Sequence, residues 1–312
     1  MDRHAAGRPG GGSVGGMANG LCLLTVHAHP DDEASKGAGT VARYHAEGVR
    51  TVLVTCTGGE EGDILNPAMD TPEVRSDLAA VRASELARAA EVIGYDVVEL
   101  LGYRDSGMPG SAANADPRCF ARAPLEEAVG RLVAVVRRER PQVLVSYGED
   151  QRGYPHPDHL RAHEVTLAAF HRAADPGSFP GAGEPFQPLK LYYVMWSREQ
   201  ARARHEKFLE LGLESPYAQR VAEGWLDRLP GEAATTTVAL GEHARARQRA
   251  LLAHATQVDP RSSFWFGLPE EVELEIYDKD YYVRAESLVD APLPEDDLFA
   301  GVRELADASV AS

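Results

Sequence analysis

Short apolar runs alternate with amphipathic segments along the first two thirds of the chain. Such runs, bounded by glycine, proline or charged residues, are typical of buried parallel strands. They predict strands over residues 21–26, 51–56, 97–101, 142–147 and 189–196. Between the strands, apolar positions recur with the helical period and predict helices over residues 33–47, 78–93 and 124–140. This alternation predicts right-handed βαβ units, and hence an α/β fold with a doubly wound, mostly parallel, Rossmann-like sheet.

Aspartate and glycine mark the expected helix ends. Asp32 is predicted to be the N-cap of the first helix and Gly48 its stop, while Gly94 ends the long second helix. After residue 196 the pattern predicts polar helices to about Gly231, a short strand over residues 235–240 and a helix over residues 242–254. We therefore expect a C-terminal α+β addition to the doubly wound core.

This pattern divides the chain into four parts. Residues 1–20 are a glycine-rich leader without periodicity, which we expect to be disordered. Residues 21–196 form the α/β core, residues 197–303 the C-terminal α+β region, and residues 304–312 an acidic tail.

Composition and charge exclude several classes of partner. The chain has 312 residues, is 44% hydrophobic and carries a formal net charge of −16. This acidity argues against nucleic acid and against an anionic membrane, because proteins that bind either normally present a basic surface. Three cysteines without CxxC spacing fit a reducing compartment. With no apolar stretch of membrane-spanning length and no apolar signal core, the chain is predicted to be cytoplasmic.

Two polar clusters follow predicted strands and carry the candidate chemistry. The run from His27 to Glu33 holds two imidazoles and three carboxylates directly after the first strand. The run from Tyr154 to His159 follows the strand over residues 142–147. Burying so many ionisable groups is costly unless they are paired or hold a cation. Because the carboxyl ends of parallel strands meet at one sheet edge, the clusters predict a divalent-metal site and a metal-assisted hydrolase.

Each cluster taken alone also has a structural explanation. Asp32 is an ordinary helix cap in this position, and Asp158 would cap a helix that begins at about His159. His156 and His159 are three residues apart, so a helical turn would place both on one face. One of them would then be able to bind a metal while the other reaches the substrate.

The two clusters together resemble the paired signatures of the LmbE-like, or PIG-L, family of zinc-dependent N-deacetylases and amidases. The matching residues are His29-Pro30-Asp31-Asp32-Glu33 and His156-Pro157-Asp158-His159. The similarity extends over residues 21–303. Within the family the chain resembles the mycothiol S-conjugate amidases through residues 26–43, 57–60, 64–70 and 254–260.

The resemblance implies a role for particular residues. It assigns zinc binding to His29, Asp32 and His159, and two imidazoles with one carboxylate also suit Fe²⁺. Asp31 falls where the family keeps its general base. The resemblance further implies that His156, as an imidazolium, stabilises the oxyanion of the tetrahedral intermediate. It implies that Asp158 tunes the charge of His156 and that Tyr154 is a further hydrogen-bond donor.

Substrate contacts follow from the same resemblance. Arg82 and Asp105 align with residues that contact sugar hydroxyls, although Arg82 is equally explained as a surface charge paired with Glu85, and Asp105 as a loop cap. Lys36 matches the amidase branch, whereas the related deacetylases have a small polar residue there. The resemblance also implies that the C-terminal region completes the substrate pocket close to His254. His254 is more simply explained as a structural histidine.

The implied activity is hydrolysis of the amide in a small-molecule thiol-sugar conjugate, a mycothiol S-conjugate, as a detoxification step. One alternative is deacetylation of N-acetylglucosaminyl-inositol, and another is non-catalytic binding of a metal or sugar conjugate. A dinucleotide-binding enzyme is disfavoured because the G-x-G-x-x-A of residues 37–42 does not follow its strand directly. No G-x-S-x-G motif supports a serine hydrolase. The sequence leaves the preferred conjugate and the oligomeric state open.

Overall fold

The computed structural model describes residues 20–150, 154–229 and 234–305. The predicted leader lies outside the described residues except for Gly20, and the predicted tail lies outside them except for residues 304 and 305.

Seven strands of the described chain form one mixed sheet in the order β3-β2-β1-β4-β5-β7-β6. Their bounds are β1 Cys22–His27, β2 Arg50–Thr57, β3 Val97–Tyr103, β4 Val143–Ser146, β5 Lys190–Met195, β6 Thr236–Ala239 and β7 Lys279–Ser287. The first five strands are parallel, whereas β7 is antiparallel to both β5 and β6. The predicted α/β class with a mostly parallel sheet is confirmed. The hydrophobic pattern predicts no strand at β7, yet β6 and β7 extend the core sheet.

Helices of the described residues flank the sheet on both sides. The first seven are α1 Asp32–Ser35, α2 Ala38–Ala46, α3 Pro72–Ser76, α4 Leu78–Ile93, α5 Ala112–Ala115, α6 Leu125–Glu139 and α7 Pro157–Arg172. The C-terminal region adds α8 Arg198–Glu210, α9 Ala218–Ala222, α10 Trp225–Arg228, α11 Arg245–Ala253, α12 Ser263–Phe266 and α13 Glu270–Ile276. Short 3₁₀ turns at Phe120–Arg122 and Gly241–Ala244 precede α6 and α11.

The prediction of one continuous first helix is wrong. The chain forms α1 and α2 separately because Lys36 is extended and Gly37 has a φ of 88°. A Cβ at Gly37 would lie 2.9 Å from the Tyr282 hydroxyl, so this close approach also favours glycine. The predicted N-cap is wrong by one residue: Asp31 precedes α1, and Asp32 is its first residue. Gly94 caps α4 with a φ of 96°, as predicted.

Alternating side chains of the central strands face opposite layers of helices. On one face, Leu24 and Val26 of β1 belong to a buried cluster with Val133 of α6 and Phe170 of α7. On the other face, Leu23 belongs to a cluster with residues of α2 and α11. This two-sided burial explains why apolar residues occupy consecutive positions within β1, β2 and β4. It also fixes the carboxyl ends of β1 and β4 side by side, where the polar clusters begin.

Candidate active site

The two polar clusters meet at the carboxyl edge of the sheet. His29 and Asp32 follow β1, and His159 lies in the first turn of α7, and all three side chains are buried. Oδ2 of Asp32 is 3.4 Å from Nδ1 of His29 and 3.4 Å from Nε2 of His159. The predicted metal ligands thus converge, although the two histidines are 130 residues apart in the sequence.

Their donor atoms fit a divalent metal ion. One ligand atom from each of His29, Asp32 and His159 lies within 4.8 Å of the others. Metal bonds of about 2.0–2.1 Å in a tetrahedral site require neighbouring donors about 3.3 Å apart, which agrees with the two distances to Asp32. Two imidazoles and one carboxylate suit Zn²⁺ and also Fe²⁺.

Asp32 is held as a carboxylate by its neighbours. Burial raises its pKa, but the charges of Lys36 and His159 outweigh burial and hold the pKa well below the usual range. Lys36 Nζ lies 2.5 Å from Oδ1, and the Tyr147 hydroxyl donates to Oδ2 at 2.7 Å. Tyr147 also accepts a hydrogen bond from the backbone N–H of Ala28. The sequence offers no signal for this role of Tyr147 beyond its position at the end of a predicted strand.

His29 is oriented through its second ring nitrogen. Nε2 lies 3.2 Å from Oδ2 of Asp158 and 3.6 Å from Oδ1 of Asp105. Asp158 in turn accepts hydrogen bonds from the backbone N–H and the hydroxyl of Ser106. A carboxylate on the far nitrogen fixes the orientation and tautomer of a metal-binding histidine. The carboxylate of Asp158 therefore contacts His29. Its charge also raises the pKa of His156, and the predicted tuning role stays a prediction.

Asp31 lies beside the convergent ligands in an unusual backbone conformation. Its φ is 104°, a region that costs a non-glycine residue about 1–3 kcal/mol. Its side chain is 31% exposed, and Oδ2 accepts a hydrogen bond from Nη2 of Arg82 at 2.9 Å. Burial raises the pKa of Asp31, assisted by the charge of Asp32 and opposed by that of Arg82. The carboxylate is thus accessible and next to the site, as a general base requires.

Arg82 is buried, so its alternative explanation as a surface charge is wrong. Its guanidinium donates to the carbonyl oxygen of Pro30 at 2.5 Å and to that of Gly59, besides Asp31. Glu85, its predicted surface partner, instead accepts two hydrogen bonds from Thr256. Both terminal nitrogens of Arg82 therefore donate to protein oxygens, and its contact with sugar hydroxyls stays a prediction.

His156 and Tyr154 flank the site from the second cluster. His156 is the N-cap of α7, and its Nδ1 accepts a hydrogen bond from the backbone N–H of Asp158 at 3.2 Å. Burial, together with the charge of His29, lowers the pKa of His156 to about 4. The hydrogen bond at Nδ1 leaves Nε2 free to donate toward the site, and the imidazolium expected for His156 stays a prediction. Tyr154 is exposed, and its ring lies 5.4 Å from that of His159.

Asp105 combines a loop contact with proximity to the site. Its Oδ1 accepts a hydrogen bond from the N–H of Gly107 at 2.8 Å, which is the loop-capping geometry expected as the alternative. Its own N–H donates to Glu60 at 3.1 Å. Asp105 also forms, with His29 and His156, a second group whose potential ligand atoms lie within 4.8 Å of one another. Because Nε2 of His29 faces Asp158, we interpret this group as the hydrogen-bonding surroundings of His29. A sugar contact for Asp105 stays a prediction.

Comparison with known proteins decides the family. The profile of the PIG-L family, described as GlcNAc-PI de-N-acetylase, matches residues 24–170. A mycothiol S-conjugate amidase of Streptomyces coelicolor is 44% identical over 301 residues, which cover 93% of this chain and 100% of that protein. The chain belongs to the PIG-L family. Membership of PIG-L, predicted from the two motifs, is therefore confirmed.

Other PIG-L relatives carry a different activity in their names. A 1D-myo-inositol 2-acetamido-2-deoxy-alpha-D-glucopyranoside deacetylase of Geodermatophilus obscurus is 43% identical, covering 90% of this chain and 97% of that protein. Among solved structures, a conserved protein of Thermus thermophilus matches with a TM-score of 0.54 and 24% identity, over 87% of this chain and 98% of that one. The N,N'-diacetylchitobiose deacetylase of Pyrococcus horikoshii matches with a TM-score of 0.56 and 15% identity, over 85% and 84%. These two structures support the fold alone.

Two further observations bear on the alternatives. Gly37 and Gly39 lie at the start of α2, separated from β1 by α1, and a Cβ at Gly39 would meet the side chain of Leu240 at 2.6 Å. These glycines therefore pack against the protein and do not form a dinucleotide-binding turn. No helix within the described ranges has the length and apolar character needed to cross a bilayer.

Proposed function

We propose that this protein is a metal-dependent amidase that hydrolyses the amide of mycothiol S-conjugates. The products are glucosaminyl-inositol and an S-substituted N-acetylcysteine. The observation that carries the proposal is the convergence of His29, Asp32 and His159 with the accessible carboxylate of Asp31 beside them. The identity with the Streptomyces coelicolor amidase over nearly the whole chain supports the choice of substrate.

The proposed metal is Zn²⁺, with Fe²⁺ as the alternative, held by His29, Asp32 and His159. When bound, such an ion lowers the pKa of water and polarises a carbonyl oxygen. Asp31 takes a proton from the water that attacks the amide carbon. It then delivers this proton to the amide nitrogen as the C–N bond breaks, which leaves a carboxylate and an amine.

Donors from the second cluster stabilise the negative charge that develops on the carbonyl oxygen. We assign this role to the Nε2–H of His156 and, from the exposed side of the site, to the hydroxyl of Tyr154. Each such donor is typically worth about 2.7–4 kcal/mol. Asp158 acts one contact further away, because it orients His29.

The proposed setting is the cytoplasm of an organism that uses mycothiol, where the reaction serves detoxification. The protein then binds a small thiol-sugar conjugate and binds neither nucleic acid nor membrane. Residues 21–196 would supply the metal site, and residues 197–303 would complete the pocket. Varied S-substituents require part of that pocket to be open and apolar.

Deacetylation of N-acetylglucosaminyl-inositol is the second candidate, favoured by the 43% identity with the Geodermatophilus obscurus deacetylase. The test is kcat/KM of the zinc-loaded protein on that sugar and on a mycothiol S-conjugate with a fluorescent substituent. We expect the conjugate to be turned over faster by at least tenfold. Faster release of acetate from the sugar would assign the protein to deacetylation. Metal-loaded protein that binds both compounds and turns over neither would be a binding protein.

Replacing Lys36 is expected to shift the preference between these substrates. Its ammonium group contacts Asp32 at the site, and its side chain is 30% exposed and so open to substrate. Hydrogen bonds to charged groups contribute about 1.5–3 kcal/mol. Lys36→Ser should therefore lower kcat/KM for the conjugate about 10–100-fold and change that for the acetylated sugar much less, measured at equal metal content.

Lys279→Ser is the matched control, because Lys279 is a partly exposed lysine at the start of β7. It should leave both rates unchanged. Equal losses on the two substrates in Lys36→Ser would show that Lys36 supports the metal site without selecting the substrate.

A further inference from the structure

Asp31, the proposed base, is held from two sides in its left-handed backbone conformation. On its side-chain end, Arg82 contacts the carboxylate and also donates to the preceding carbonyl of Pro30. On its main-chain end, the N–H of Asp31 donates to Oε2 of Glu33 at 2.9 Å. A non-glycine residue keeps a positive φ only where its surroundings enforce it. The partner of its N–H therefore matters for where the carboxylate points.

Glu33 is itself fixed by a residue from the far end of the chain. Its second oxygen, Oε1, lies 2.5 Å from Nε2 of His254, and neither side chain is exposed to solvent. Burial lowers the pKa of His254, but the charge of Glu33 and this hydrogen bond raise it overall. The two side chains thus form a buried hydrogen-bonded pair, whose other carboxylate oxygen holds the N–H of Asp31.

His254 is firmly placed, because the segment that follows it is tied to the core. The backbone N–H and the hydroxyl of Thr256 donate to the two oxygens of Glu85 on α4, at 2.8 and 2.7 Å. Gln257 donates to the carbonyl oxygen of Asp63 at 3.0 Å. The end of α11 is therefore locked against α4 and the loop after β2. Contacts outside the metal site therefore hold His254, and with it Glu33, in position.

We propose that Glu33 and His254 are positioning residues for Asp31, which aim its carboxylate at the attacking water by holding its backbone N–H. The inference rests on the proposed function of Asp31 and adds that the C-terminal region contributes to the chemical step. Neither residue touches the substrate in this role. Their removal should therefore lower kcat without weakening substrate or metal binding.

The first test is the kinetics of Glu33→Ala, Glu33→Gln and His254→Ala at equal metal content. Misplacement of a reacting group by about 1 Å costs on the order of 10²-fold, so we expect kcat to fall about 10–100-fold in both alanine variants, with KM within twofold. Glu33→Gln should recover most of the loss, because its amide oxygen accepts from Asp31 and its amide nitrogen donates to His254. If the variants lose activity only because less of the protein is folded or loaded with metal, so that kcat per metal-loaded molecule is unchanged, the proposal is wrong.

Glu273→Ala is the matched control for the loss of a buried charged pair. Glu273 is buried on α13 and pairs with Arg204 at 2.5 Å, a contact that does not involve the site. We expect this variant to lower the melting temperature as Glu33→Ala does, but to keep the wild-type kcat per bound metal. If it loses kcat equally, general destabilisation explains the effect of Glu33→Ala.

The double variant His254→Ala with Asp31→Asn tests whether His254 affects kcat only through Asp31. Residues that act through one group have non-additive effects. Adding His254→Ala to Asp31→Asn should therefore change the residual kcat less than twofold. A further 10–100-fold loss would show that His254 acts independently of Asp31.

If neither proposed substrate is turned over, that result contradicts the proposed function but not this inference. A structural measurement then tests the inference by itself. Crystal structures of metal-loaded wild-type protein and Glu33→Ala should differ in the φ of Asp31. We expect the variant to relax to a negative φ and to turn the carboxylate away, while His29, Asp32 and His159 stay in place. An unchanged Asp31 in the variant would overturn the inference.

Discussion

Asp31→Asn is expected to lower kcat about 10²–10⁴-fold, the usual contribution of a general base. The amide has nearly the same shape as the carboxylate, and its oxygen can still accept the hydrogen bond from Arg82 that the structure shows. It cannot take a proton from water. Because Asp31 is not among the three convergent ligands, the variant should retain its metal. Steady-state kinetics with metal analysis of the same sample measures both.

The control for Asp31→Asn is Asp278→Asn, which removes an exposed carboxylate close to β7 and should have wild-type kinetics. Near-normal turnover by Asp31→Asn would show that another group accepts the proton. Loss of metal together with activity would instead make Asp31 part of the metal site.

His159→Ala should weaken metal binding by more than 100-fold. Changes to residues that merely orient a ligand already cost about 10–100-fold in affinity, and His159 supplies one of three donor atoms. Turnover should fall in parallel at low free metal and recover in part when metal is in excess. The measurement is metal content after dialysis against buffers of defined free Zn²⁺, followed by kinetics. Metal-stripped wild-type protein reloaded with Zn²⁺ or Fe²⁺ alone then identifies the cation that supports turnover.

His171→Ala is the control on the same helix, because His171 is 52% exposed near the end of α7, far along the helix from His159. Its metal content and rate should match the wild type. A His159→Ala protein that keeps full metal at low free Zn²⁺ would remove His159 from the ligand set.

The location of the site was predictable from the sequence because it depends on local order. A polar cluster that directly follows a parallel strand must lie at the carboxyl edge of the sheet. His29 and Asp32 after β1 and His159 after β4 satisfy this rule, and β1 and β4 are neighbours. The convergence of these residues therefore needed only the strand assignment.

The contacts around the site depend on distant residues and could not be predicted in this way. Arg82 has the sequence context of an exposed helix residue, but it is buried because Asp31 and Gly59 approach it from other loops. Glu33 and His254 are 221 residues apart, and no periodicity links them. The break between α1 and α2 likewise reflects the approach of Tyr282 to Gly37.

The hydrophobic pattern did not predict strand β7 for a different reason. Its sequence, Lys-Asp-Tyr-Tyr-Val-Arg-Ala-Glu-Ser, is mostly polar, and only Tyr282 within it is fully buried. A strand that is half exposed on both faces carries no apolar run. Its place between β5 and β6 is decided by backbone pairing, which the side-chain pattern does not report.

The antiparallel pairing of β5 with β7 also sets the order of events during synthesis. The ribosome must add roughly 90 residues after β5 before β7 is complete, which takes about 5–20 s at ordinary translation rates. Until then the backbone of Lys190–Met195 has no partner on that side, and Tyr192 lacks its contact with Tyr282. Until β7 is made, the nascent chain therefore displays an unpaired strand edge, which can pair with other chains unless chaperones shield it.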